Sequence, residues 1–160
     1  MLAFTYNQHE GKHMTTLLKN VKPSLFASVA LALLLAACST MSADTNHTSE
    51  VTLDGAHEVP ANGSSASGAG TIVVKADKSV SGSVTTRGIQ GKVAHIHEGA
   101  LGKNGPVLVG LTKTGDNMWS VPDGTKFTDA QYASYMAGNL YINVHSAANP
   151  GGEIRGQLLP

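Results

Sequence analysis

The 160-residue sequence predicts an all-β fold, an antiparallel β-sandwich or barrel of about eight short strands with one short helix. Three observations carry that expectation. Glycine is plentiful at 18 residues while charged residues make up only 14% of the chain, a balance suited to short strands and tight turns. Apolar and polar residues alternate over several short runs, the two-residue period of a half-buried strand. Helical signals gather in one place, between Thr128 and Gly138.

In chain order, Val51 to Asp54 opens the domain and Gly63 to Gly70 is a Gly/Ser/Ala loop. Thr71 to Ala76 and Val80 to Thr86 flank the turn Asp77-Lys78-Ser79 as a hairpin. Val93 to His97 leads into a loop holding Gly99, Gly102 and Gly105. Pro106 to Thr112 and Met118 to Val121 then flank a turn at Thr114 to Asn117. Thr128-Asp129-Ala130-Gln131 reads as a capping box, the threonine hydroxyl accepting from the third helical amide and the glutamine reaching back. Tyr132, Tyr135 and Met136 stand at i, i+3 and i+4 and predict a buried apolar stripe, ended by Gly138. The last two strands, Asn139 to His145 and Glu153 to Leu159, are joined through Asn149-Pro150-Gly151-Gly152, strong turn chemistry.

The N-terminal third is organised differently. Lys19 and Lys22 precede an apolar run, Leu25 to Leu35, too short to span a bilayer but of the length of a signal-peptide core. The run ends Leu35-Ala36-Ala37-Cys38-Ser39, which closely resembles a bacterial lipobox. That resemblance implies a signal peptide over residues 1–37, lipidation of Cys38, and an envelope protein anchored to a membrane, with Ser39 pointing to the outer membrane. Met14 makes the more ordinary signal start, so residues 1–13 are expected to lie upstream of it. Residues 38–49, rich in Ser, Thr, Asp, Asn and Ala, read as a flexible tether, and the folded domain is expected over 50–160.

Charge excludes one class of partner. Eleven basic and eleven acidic residues cancel, and from Cys38 onward 8 basic against 10 acidic residues leave a net charge of −2. Nucleic acid is therefore not expected as a partner. Cys38 is the single cysteine, so no intrachain disulfide can form.

The residues that carry chemistry lie in two motifs, AHIHEG from Ala94 to Gly99 and YINVHSAANPGGEIRGQL from Tyr141 to Leu158. Alternate side chains of a strand share a face, so His95 and His97 project together, as do Tyr141, Asn143 and His145. Three imidazoles from neighbouring strands would suit copper or zinc, whereas oxygen-only cations want a carboxylate cage that is missing from this pattern. His95, His97 and His145 are the candidate ligands, with His57 as a fourth. Glu98, Asn143, Glu153 and Arg155 are the candidate partners that orient them. A second reading makes the same residues a hydrogen-bonded cluster that fixes strand register, with Arg155 paired to a carboxylate, in a non-catalytic structural or adhesion module. A third is a small copper enzyme: a strand-borne His-x-His in a β-sandwich distantly resembles copper-zinc superoxide dismutases. The disulfide and the aspartate-rich zinc loop of that family are both missing here. No serine nucleophile elbow, phosphate-binding loop or acidic dyad is recognisable, so an enzymatic role has little else to rest on.

Four stretches together resemble the CHRD domain, the module named after chordin and found in many bacterial secreted proteins and lipoproteins. They are Leu53 to Pro60, AHIHEGALGKNGPVLVGL, the Thr128 to Gly138 helix and YINVHSAANPGGEIRGQL, covering nearly all of Glu50 to Pro160. The chain departs from the pattern at Ala61, where a second proline is frequent, and at His57, where another polar residue is usual. The resemblance implies a β fold and extracytoplasmic placement, and no particular chemistry.

Overall fold

The computed structural model describes residues 46–160. The expected signal peptide, Cys38 and most of the expected tether lie outside the described residues. Among the described residues nine strands and one helix follow in the order β1 (His47–Asp54), β2 (Ser67–Val74), β3 (Val80–Arg87), β4 (Gly91–Glu98), β5 (Val107–Gly110), β6 (Thr112–Gly115), β7 (Met118–Ser120), α1 (Asp129–Met136), β8 (Leu140–Ser146) and β9 (Ile154–Leu158). The strands form one sheet in the order β5-β4-β8-β9-β1-β2-β3-β7-β6, with every named pairing antiparallel.

The two end strands of that sheet, β5 and β6, are neighbours in the chain and are separated by Leu111 alone. The Leu111 amide donates to the Ala94 carbonyl at 2.8 Å, and the chain then leaves β4 to pair with β7. The sheet therefore curls until its two ends meet, a nearly closed barrel. Inside the curl lie the alternate apolar residues of each strand, among them Leu53, Ile72, Val84, Ile96, Ile142, Val144 and Ile154, all essentially without solvent exposure. Burial on this scale is the main stabilising contribution, about 25 cal/mol for each Å² of apolar surface removed from water.

The all-β reading is met, and four details differ from expectation. The first strand begins at His47, inside the stretch read as tether, because Ser49 is buried and its hydroxyl lies 2.9 Å from the Tyr135 hydroxyl. The stretch 67–70, read as loop, is the start of β2: it lies so close to β3 that a Cβ on Gly70 would sit 2.1 Å from the Ser83 carbonyl. There the glycine permits pairing rather than interrupting it. The strand expected over 106–112 is split at Leu111 into β5 and β6, which makes nine strands rather than about eight.

The capping box forms as expected: the Thr128 hydroxyl accepts from the Gln131 amide at 3.2 Å and Gln131 Oε1 accepts from the Thr128 amide at 2.9 Å. Tyr135 is fully buried against β1, Tyr132 is partly buried, and Met136 is exposed, which corrects the three-residue stripe. A helix only two turns long touches the sheet along one line, and the residue after Tyr135 is rotated about 100° from that line.

Candidate metal centre

Strand β8 lies between β4 and β9, and its register sets the site. His95 pairs with Asn143, His97 with Tyr141 and Val93 with His145 across β4 and β8, while Asn143 pairs with Arg155 and Tyr141 with Gln157 across β8 and β9. Cross-strand partners share a face, so His95, His97, Tyr141, Asn143, His145, Arg155 and Gln157 all stand on the face opposite the core. On the core face of the same strands are Ala94, Ile96, Ile142, Val144 and Ile154. Loops cover much of the polar face, and His97, Asn143 and Arg155 are buried there.

The three expected histidines converge. One ring nitrogen from each of His95, His97 and His145 lies within 4.8 Å of the other two. The His97 ring donates from Nδ1 to the Gly105 carbonyl at 3.0 Å, and the His145 ring from Nδ1 to the Pro150 carbonyl at 2.9 Å. A carbonyl can only accept, so both neutral rings carry their proton on Nδ1 and keep Nε2 as a lone pair. His95 Nδ1 lies 3.1 Å from His145 Nε2, and since that nitrogen bears the lone pair, His95 is the donor. His97 Nε2 is buried with no hydrogen-bond partner. A buried polar atom left unpaired costs about 1–3 kcal/mol, so this one requires an explanation.

Burial, foremost, holds both His95 and His97 below the ordinary imidazole value of 6.5; His145 adds to the effect at each, while the Gly105 carbonyl opposes it at His97. Neutral rings are the state in which imidazole ligates. His97 is also stacked on Tyr141, with centroids 4.8 Å apart and planes 9° from parallel, and the Arg155 guanidinium lies 3.4 Å from the Tyr141 ring centroid. That guanidinium donates to the Lys103 carbonyl at 2.6 Å and to Asn104 Oδ1 at 3.1 Å, and the Tyr141 hydroxyl accepts from the Gly105 amide at 3.2 Å. Arg155 and Tyr141 thus tie down the 99–106 loop whose Gly105 carbonyl orients His97. Gln157 adds a hydrogen bond to the Gly99 carbonyl at 3.0 Å.

The other expected site residues fall elsewhere. The His57 side chain is 55% exposed and paired with Asp54 at 2.8 Å, in the loop after β1, so it is not a ligand with the other three. Glu98 lies on the opposite face of β4 from His97 and accepts from the Ser134 hydroxyl, fastening the helix rather than an imidazole. Glu153 accepts from the Ser64 hydroxyl at 2.8 Å and braces the loop before β2; hydrogen bonds from Ser146 foremost, and from Ser64 and Asn149, hold it below the usual carboxylate range. Asn143 donates to Glu58 at 2.7 Å instead of to a histidine. Arg155 hydrogen-bonds to loop oxygens and to no carboxylate among the described residues, which corrects the expected ion pair. The Gly105 and Pro150 carbonyls that fix the rings are main-chain atoms and leave no signal in residue type. Asn104 and Tyr141 are the side chains that sequence reasoning passed over as site supports.

A curled antiparallel sheet with a polar, loop-covered face defines the structural class. A family model for the CHRD domain matches residues 49–158, and the chain belongs to that family. The matched span contains all three converging histidines together with Tyr141 and Arg155. Neither a curated protein nor a solved structure matches the chain.

Proposed function

We propose that this protein is a lipid-anchored, extracytoplasmic CHRD domain that binds one transition-metal ion, copper or zinc, through His95, His97 and His145. Two observations carry the reading together: one ring nitrogen from each of the three histidines lies within 4.8 Å of the other two, and His97 Nε2 is buried without a hydrogen-bond partner. Two ligands held about 2.0–2.1 Å from a tetrahedral ion stand about 3.3–3.4 Å apart. The 3.1 Å between His95 Nδ1 and His145 Nε2 is close to that spacing, so an ion would replace the proton now shared between them. His95 would then carry its proton on Nε2, while His97 and His145 keep the tautomers that Gly105 and Pro150 impose. Copper is favoured over zinc by intrinsic affinity, and supply in the envelope decides occupancy. Anchoring through Cys38 rests on the lipobox-like sequence.

Copper and zinc titrations with a competing chelator test the reading, on the wild type and on His95→Ala, His97→Ala and His145→Ala. One ion per chain is expected for the wild type, with each single replacement weakening binding at least about tenfold. Binding that survives all three replacements would refute it. A second reading, a structural module whose polar cluster fixes the loops, is favoured by the hydrogen bonds that Arg155 and Gln157 already make to the 99–106 loop. It predicts that the wild type takes up no metal. Catalysis of superoxide dismutation by metal-loaded protein would support the enzymatic alternative.

A further inference from the structure

A cavity of about 350 Å³ opens beside the 147–152 loop, and Glu58, Asn62, Asn104, Asn149 and Gly152 contribute to its wall. Glu58 is the one charged residue of that wall, which contains no lysine, arginine or histidine. The carboxylate belongs to a residue only 6% exposed. One of its oxygens accepts from Asn143 Nδ2 at 2.7 Å, and it makes no ion pair among the described residues.

The wall leaves little else for a ligand to use. Asn62 donates to the Gly152 and Glu153 carbonyls and accepts from the Ser64 amide. Asn104 donates to the Val59 carbonyl and accepts from Arg155, and Arg155 is itself committed to that oxygen and to the Lys103 carbonyl. A carboxylate offers about four acceptor positions, so Glu58 retains capacity that the protein does not fill. Keeping such a group buried is costly: desolvation foremost pushes Glu58 up to about 7, against the opposing pull of Arg155 and the Val59 amide. Gly152 sits directly against the pair at φ +135°, and a Cβ there would lie 2.3 Å from Asn143 Nδ2 and 2.8 Å from Glu58 Oε1. The carboxylate and its amide partner are thus held in place from the loop side.

We propose that this cavity binds a small organic cation, a primary ammonium or guanidinium group that hydrogen-bonds the Glu58 carboxylate. An anion finds no positive group in the wall. A hard metal ion wants six to eight oxygens, or several carboxylates, and the wall has one. An ammonium or guanidinium needs a carboxylate in a confined space, where a charge-assisted hydrogen bond is about twice as strong as a neutral one. The cavity shares the 147–152 loop with the histidine centre, through Pro150, but contains none of the three histidines, and its assignment does not depend on metal binding there.

Calorimetric titration of the full chain, kept metal-free with a chelator, tests the assignment. Putrescine is the ammonium probe, agmatine adds the guanidinium, and succinate is the anionic control. Saturable binding of at least one cation is expected, with none of succinate. Glu58→Gln keeps an acceptor for Asn143 and so should keep the fold, yet should weaken cation binding at least about tenfold. Ala61→Trp, a bulky replacement at an exposed position of the cavity wall, should do the same with the carboxylate intact. Wild-type protein that binds neither cation would overturn the proposal. So would retention of wild-type affinity by either variant.

Discussion

His97 and His145 each give the Nδ1 proton to a main-chain carbonyl, so the free lone pairs of both rings are fixed before any ion arrives. The pH response follows from the sign of the imidazole shifts. His95 and His97 are held below 6.5, so both stay neutral through pH 7, and affinity should fall only as acidification passes below about 6.5. A metal titration repeated on either side of that value checks this: affinity that already falls between about pH 8 and pH 7 would contradict the lowered imidazoles, and affinity indifferent to acid altogether would contradict histidine ligation. His47→Ala should leave metal binding unchanged, since His47 lies against Tyr132 and Tyr135 and not in the histidine cluster. Glu58 behaves oppositely in stability. Its folded value, about 7, lies above the ordinary 4.5, so the folded state favours the protonated form and loses stability as pH rises through that interval. Glu58→Gln should accordingly raise the melting temperature at pH 8 and change it little at pH 4, and a loss of stability at pH 8 would count against the burial argument. The shared face of His95 and His97 was legible because a period of two is all that it needs. The same period places Glu98 on the far face, where it meets Ser134 of the helix instead of an imidazole. His57 had no such rule, because it follows the strand and depends on the loop path.

At the scale of elements, the loops rather than the strands decide how the site is held. The 99–106 loop is fastened by Arg155, Tyr141 and Gln157, and the 147–152 loop by its own turn, the Asn149 carbonyl accepting from the amides of Ser146 and Gly152. Gly152→Ala places a Cβ against Asn143 and Glu58 at a backbone conformation that L residues rarely adopt. It should lower the melting temperature and weaken metal binding together, by disturbing the loop that carries Pro150; an unchanged protein would show that the loop is not a support. The helix has a simpler energetic role. Tyr135→Ala removes a fully buried ring and leaves the Ser49 hydroxyl short of a partner, at a cost of about 3 kcal/mol measurable by denaturant unfolding. The cap and Tyr135 were readable from spacing alone. Met136 was not, because a side chain at i+4 joins the core only where the sheet extends far enough to receive it. The break at Leu111 was equally hidden, since the apolar run from Val107 reaches Leu111 without a turn signal and only the partner strand changes.

For the whole molecule, strand pairing brings β4, β8 and β9 side by side although β4 and β8 are separated by three strands and the helix in sequence. The two histidine motifs therefore meet through topology, which residue patterns suggest but do not determine. The sequence before the described domain predicts where this molecule resides: Cys38→Ser should abolish acyl labelling and accumulate uncleaved precursor, and normal acylation of that variant would end the anchoring proposal. The central claim, that three imidazoles share one ion, is tested most directly by X-ray absorption on copper- or zinc-loaded protein together with its metal content. The account predicts one ion per chain with three imidazole nitrogens at about 2.0–2.1 Å, and a lower imidazole count in His97→Ala. Wild-type protein that holds no ion after loading, or an imidazole count unchanged in His97→Ala, would contradict it.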